Sequence, residues 1–156
     1  MAAWACFALL QTLAEPYQTL ASLRLSQERP EEAATLLDQT LKIIQATLDT
    51  PAQPPLDFRM STAKLLMEVG RADDALELLQ ALRMEEDESL ELWYLLSCAA
   101  LQANELELAA DEITAALAFM EGGACPVDER HWLKQLRELQ GDVAAAAAAP
   151  SWQTMR

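Results

Sequence analysis

The chain has 156 residues and a net charge of −14, and 52% of its residues are hydrophobic. This length and hydrophobic content fit one domain with a real core and exclude a chain that is disordered by composition. The negative charge argues against DNA or RNA as the direct ligand, because phosphate contacts need lysine and arginine. It suits solubility, and equally a positively charged partner.

Composition also indicates the fold class and the redox environment. Alanine, leucine, glutamate and glutamine are abundant and glycine is scarce, a balance that favours helix. The cysteines, Cys6, Cys98 and Cys125, are widely spaced and form no CxxC pair, which is typical of reduced thiols. No apolar run reaches the roughly 18 residues that a membrane span needs. We therefore expect an all-α protein of the cytoplasm, the nucleus or both.

The chain opens with MAAWACFALLQTLA, which is apolar but lacks a basic leading segment. We interpret residues 1–14 as part of a preceding repeat, the second helix of a pair whose first helix is missing. On this interpretation the chain starts part-way through a longer array. The alternatives are a targeting segment or a wrongly assigned start.

Residues 15–121 contain three copies of one pattern. With Tyr17, Arg59 and Trp93 in register, the period is 34 residues from Arg59 to Trp93 and 42 from Tyr17 to Arg59. The surplus of 8 falls in DTPAQPPL, residues 49–56, whose prolines cannot continue a helix. Four positions recur in the three copies. The first is a small residue (Ala21, Ala63 and Ser97) and the second is the turn residue (Glu28, Gly70 and Asn104). The third is alanine (Ala33, Ala75 and Ala109) and the fourth is leucine or isoleucine (Leu37, Leu79 and Ile113).

The pattern predicts helices at residues 15–27, 30–48, 57–69, 71–83, 89–103 and 105–120. It resembles the tetratricopeptide repeat, a helix, a tight turn and a second helix. The resemblance implies a solenoid of helical hairpins, in which small residues let two helices lie close together and stacked pairs share a core. Arg59 in the aromatic position and Glu28 in the turn position depart from the pattern.

The C-terminal part follows the stop signal GGACP, residues 122–126. VDERHWLKQLRELQ predicts an amphipathic capping helix at residues 127–141, with Trp132, Leu136 and Leu139 on its apolar stripe. Its mixed-charge outer face suits the end of a stack and carries Glu129, Arg130, Lys134, Arg137 and Glu138. Residues 142–156 form a low-complexity, alanine-rich tail.

Motifs for catalysis, metal binding or cofactor binding are missing from the sequence. His131 is the only histidine, and beside Trp132 we expect it on the surface. There is no GxxxxGK[ST] or GxGxxG to hold a phosphate. Cys98 is either a packed small residue or a reactive thiol, and no base or cation near it in sequence supports the second. We predict that the chain is not an enzyme and needs no cofactor.

Charge is distributed unevenly along the chain. Residues 84–129 contain no lysine or arginine but twelve acids, so −12 of the total −14 lies there. One interpretation is a solvated outer face, with carboxylates placed at helix starts. The other is a negative surface that attracts a basic partner. The acids are Glu85, Glu86, Asp87, Glu88, Glu91, Glu105, Glu107, Asp111, Glu112, Glu121, Asp128 and Glu129.

In a tetratricopeptide-like stack, the resemblance implies that the first helix of each pair lines a concave side. Methionine and tyrosine there would adapt to a partner surface. A clamp for a C-terminal carboxylate needs paired basic residues, and only Lys64 is present, so we do not expect that ligand. The inward-facing residues would be Glu15, Gln18, Ser22 and Leu25, then Asp57, Met60, Lys64 and Met67, then Glu91, Tyr94, Cys98 and Leu101.

Two segments carry a more specific resemblance, LASLRLSQERPEEAATLL at 20–37 and LRMEEDESLELWYLLSC at 82–98. They resemble a fungal and plant family of dedicated assembly chaperones of large-subunit ribosomal protein four, with RMSTAKLLMEVGRADDALELL at 59–79 also matching. In that family an acidic run leads into a Trp-Tyr-Leu-Leu segment, here Trp93, Tyr94, Leu95 and Leu96. Family members usually carry further repeats before this region, and commonly have glycine where Ser97 stands.

The resemblance implies that the chain shields a very basic ribosomal protein until ribosomal RNA displaces it. We predict that this client contacts a partner-binding set of nine residues. The competing hypothesis is a generic scaffold that docks peptides or other repeat proteins through an apolar groove, with little response to salt. The predicted set is Asp57, Met60, Met67, Glu85, Glu86, Asp87, Glu88, Glu91 and Tyr94.

Overall fold

The computed structural model describes residues 13–123 and 131–149, and these ranges contain seven helices and no strand. The predicted all-α class is confirmed. Each of the first six helices starts and ends within two residues of its predicted bounds. The helices are α1 (Glu15–Ser26), α2 (Pro30–Ala46), α3 (Leu56–Glu68), α4 (Ala72–Glu85), α5 (Leu90–Gln102), α6 (Leu106–Glu121) and α7 (His131–Ala148).

Parts of three predictions lie outside the described residues. These are most of the predicted preceding helix at residues 1–14, the start of the predicted capping helix at 127–130, and the end of the tail at 150–156. Within residues 13–123 and 131–149, none of the helices is long and apolar enough to cross a lipid bilayer.

The same turn joins the helices of each predicted pair. Glu28, Gly70 and Asn104 all have positive φ, at 58°, 78° and 63°. In each turn the next backbone N–H donates to a carbonyl near the end of the preceding helix, as in a Schellman motif. These bonds run from Arg29 to Arg24 at 2.9 Å, from Arg71 to Leu66 at 2.9 Å and from Glu105 to Ala100 at 2.8 Å.

The helix starts also follow from local sequence. Pro30 occupies the first turn of α2 together with Glu31 and Glu32, where a fixed φ and negative charge are favourable. The proline-rich segment after α2 cannot continue that helix. Its last proline, Pro55, is extended immediately before α3. Ser89 caps α5, its side chain accepting the backbone N–H of Leu92 at 3.3 Å.

Burial follows the repeat register closely. The small and branched residues at the equivalent positions of the three copies are all fully buried, so close helix approach recurs in each copy. The structure divides into two compact units, Met1–Ala75 and Leu76–Arg156. The stacking of successive pairs into a solenoid stays a prediction. The fully buried residues are Ala21, Ala63, Ser97, Ala33, Ala75, Ala109, Leu37, Leu79 and Ile113.

In the first unit, α1 packs along α2, and both contact α3. The Gln18 amide ties α1 to α3 by donating to the Phe58 carbonyl at 2.9 Å and to Thr62 Oγ1 at 2.8 Å. Arg71 forms ion pairs with Asp38 of α2 and, at 2.7 Å, with Asp74 of α4. These two carboxylates raise the pKa of Arg71, chiefly through hydrogen bonds, so the guanidinium is a fixed cation at this junction.

In the second unit, α5 packs along α6, and α7 packs against both. Ser97 is buried and its hydroxyl donates to the Trp93 carbonyl at 2.8 Å, which satisfies a polar group in the core. Leu136 and Leu139 of the predicted stripe are buried. Val143 is buried as well, and α7 continues past the predicted end at residue 141 through the alanine-rich segment to Ala148.

Candidate functional site

The acidic residues 85–88 connect α4 to α5, and we call them the acidic loop. Glu85 ends α4, and Asp87 and Glu88 are exposed. The Glu88 N–H donates to a Glu86 side-chain oxygen at 3.2 Å, which restricts this short connection. The loop precedes the capped start of α5, where the helix dipole favours negative charge. The fold therefore holds several carboxylates at one short, solvent-facing turn.

Arg83 is the last basic residue before the acidic loop. The contacts that the structure describes for it are with Glu112 and Trp93. Its Nε donates to a Glu112 carboxylate oxygen of α6 at 3.3 Å. Its guanidinium carbon also lies 4.8 Å from the centre of the Trp93 ring, a cation–π geometry. The charge of Arg83 is thus used in packing α4, α5 and α6 together within the second unit.

Tyr94 lies on α5 where α7 passes. Its ring centre is 5.2 Å from that of Trp132, with the planes tilted by 41°. The pKa of Tyr94 is raised, first by burial, then by Cys98 and by the negative charges of Glu138 and Asp142 on α7. Tyr94 therefore has an aromatic and acidic environment that is built from two helices.

Cys98 lies one turn after Tyr94 and is half-buried. Burial raises the pKa of its thiol, a hydrogen bond with Tyr94 opposes this effect, and the charge of Asp142 adds to it. A raised thiol pKa leaves little thiolate near neutral pH. Of the two interpretations of Cys98, these surroundings favour the packed residue over the reactive thiol.

The first unit carries the remaining predicted partner-binding residues. Asp57 is exposed at the start of α3 and Met67 is half-buried near its end. Met60, in contrast, is only 5% exposed, because its side chain belongs to the core of this unit. A partner of the folded protein would reach Asp57 and Met67 but very little of Met60.

A groove of about 430 Å³ lies between α1 and α3. Three residues predicted to face inward, Gln18, Ser22 and Lys64, line it together. The first helices of the first two predicted pairs, α1 and α3, therefore line one groove of the first unit. Among the residues that the structure describes, no carboxylate lines this groove, and its other lining residues are Thr19, Ser61 and Leu65.

Sequence reasoning missed the α7 side of the Tyr94 environment. Glu138 was expected on the outer face, and its side chain is 65% exposed and pairs with Lys134 at 3.7 Å, yet its charge also acts on Tyr94. The sequence pattern places Asp142 in the tail, beyond the predicted capping helix. The four-residue spacing of Glu138 and Asp142 is the signal in the sequence that these two acids share one face of a helix.

Two known proteins are similar to this chain. A protein of Emericella nidulans named probable assembly chaperone of rpl4 is 38% identical over 125 residues, which cover 78% of this chain and 33% of the relative. A protein of Schizosaccharomyces pombe with the same name is 44% identical over 87 residues, 54% of this chain and 26% of the relative. No family model matches the chain.

The chain spans a third or less of the length of these two relatives. A match that covers 78% of a 156-residue chain includes its middle, so the acidic loop lies in the matched part. The resemblance predicted from the two sequence segments is confirmed by these relatives.

Proposed function

We propose, from the similarity to proteins named as assembly chaperones of rpl4, that this chain binds and shields a basic segment of that ribosomal protein before it joins a pre-ribosome. The similarity over 125 residues carries the proposal. The acidic loop supplies a physical reason, because a row of exposed carboxylates attracts a cationic segment and lowers the repulsion within it.

The proposed surface in the second unit consists of the acidic loop, Glu91 and Tyr94. Asp57 and Met67 are proposed as contacts on the first unit, and Met60 is left out because it is buried. Release follows from competition, since ribosomal RNA is a polyanion that binds the same cationic groups. Binding and release by charge need no covalent step, so the proposed role is non-enzymatic and needs no cofactor. It belongs in the cytoplasm or the nucleus.

Co-expression tests the shielding role. The whole chain, co-expressed with the large-subunit ribosomal protein four of the same organism, is expected to increase the soluble fraction of that protein. Shielding of cationic segments reduces their non-specific binding and aggregation. The measurement is the soluble yield with and without the chain. Another basic ribosomal protein of similar charge is the control, and an equal gain for both would exclude a dedicated chaperone.

A further inference from the structure

Helix α1 exposes leucine side chains to solvent. Among its 12 residues, all of which the structure describes, Ala21 alone is buried. The equivalent helices of the next two copies, α3 and α5, bury five and eight residues. Leu20 is 42% exposed and Leu23 is 47% exposed, and their spacing of three residues places them on one face of α1. This apolar face of α1 is the exposed leucine face.

The repeat register identifies the kind of position that these leucines occupy. Leu20 is equivalent to Thr62 of the second copy and Leu96 of the third, which are 0% and 1% exposed. Leu23 is equivalent to Ala99 of the third copy, which is 0% exposed. Positions that are buried in the later copies are therefore exposed in the first, so the exposed leucine face has the register of an interface.

The second copy shows which elements cover this register. Thr62 Oγ1 accepts a hydrogen bond from the Gln18 amide of α1 at 2.8 Å. Leu65, the equivalent of Leu23, lines the groove between α1 and α3, and α3 contacts α2 as well. The face is thus covered by the helical pair that comes before it in the chain. By the same register, the occupant of the exposed leucine face is a helix of a pair that precedes α1.

Residues 2–12 have the composition and the position of such a helix. They contain no charged residue, and as a helix they would span about 16 Å, close to the length of the 12-residue α1. Leu13 and Ala14, which follow them, are not helical, and a short connection of this kind can join two antiparallel helices. The large apolar residues of the segment are Trp4, Phe7, Leu9 and Leu10.

We propose that residues 2–12 pack on the exposed leucine face of α1, as α2 packs on α3. A basic client segment suits this face poorly, because its charges would lose water against leucine side chains without gaining a partner. The inference goes beyond the proposed function and does not rest on it. It assigns this face to packing between repeats and separates it from the acidic loop.

Hydrogen–deuterium exchange of the whole chain tests this packing. The backbone amides of residues 4–12 are expected to exchange about tenfold or more slowly than in a free peptide of the same sequence, because so short a helix is marginal in water unless it packs. Leu20→Lys with Leu23→Lys is expected to remove this protection, since it places two charges in the interface. Leu48→Lys, the matched control, changes another leucine that is 50% exposed and is expected to keep it. Unprotected amides in wild-type protein, or equal protection in all three proteins, would overturn the proposal.

A second measurement separates this segment from other occupants. Nuclear Overhauser contacts are expected between the methyl groups of Leu20 or Leu23 and the ring protons of Trp4 or Phe7, at a concentration where light scattering shows a monomer. Protection that appears only where the chain dimerises would overturn the proposal and assign the face to a second copy. Neither measurement involves ribosomal protein four, so a failure here leaves the proposed function standing.

Discussion

Reversing Asp87 and Glu88 to lysine is expected to weaken binding of ribosomal protein four by about tenfold or more. Both residues are exposed in the acidic loop, so the substitutions bury no charge. They replace attraction by repulsion at the point where the cationic segment approaches, and like charges brought together in an interface are costly. The measurement is the dissociation constant at low ionic strength.

The control for this reversal must carry the same net charge. Glu107→Lys with Asp111→Lys changes two exposed acids of α6 in the same unit. Both double variants move the net charge of the chain from −14 to −10. The control is expected to keep most of the affinity because it leaves the acidic loop intact. Equal losses in the two variants would show that only total charge matters and that the loop is not the contact.

Trp93→Ala is expected to lower the free energy of unfolding by about 3–5 kcal/mol. Trp93 is 4% exposed, its ring meets that of Phe119 edge-on with centres 5.2 Å apart, and Arg83 lies over its face. The substitution removes this packing and leaves the partly buried Arg83–Glu112 pair without the Trp93 ring beside it. A loss of this size is a large share of the stability of a typical domain.

Trp93→Phe is the matched control for that loss. It keeps a ring beside Phe119 and Arg83, and the indole Nε1–H of Trp93 has no hydrogen-bond partner among the residues the structure describes. We therefore expect a cost well below that of alanine, measured by urea unfolding followed by far-UV circular dichroism. Similar midpoints for Trp93→Ala and wild type would contradict the packing described for the second unit.

Local patterns predicted the turns well because helix ends are set by few residues. Glu28 is the informative case. Glutamate does not favour positive φ, but its register with Gly70 and Asn104 placed it at a helix end, and its φ is 58°. The geometry of this turn is imposed by the two helices that it joins. The repeat register therefore carried more information than the residue type.

The exposure of individual side chains was harder to predict. Met60 and Lys64 are one helical turn apart on α3 and were both expected to face inward. Lys64 lines the groove with Gln18, whereas Met60 is buried. The charge of Asp142 helps to raise the pKa of Tyr94 from a helix that runs further than the sequence predicts. In both cases the outcome depends on which neighbouring helix covers a face, and that packing is not contained in the spacing within one helix.

Binding by charge is tested by titration of wild-type protein with a basic segment of ribosomal protein four at low and at high ionic strength. Carboxylates of the acidic loop act on that segment through solvent, where salt screens them within about 10 Å at 0.1 M. We expect an affinity about tenfold or more weaker at high salt, chiefly through slower association. An affinity that is unchanged by salt would contradict binding by charge and would favour a scaffold that binds through apolar contacts.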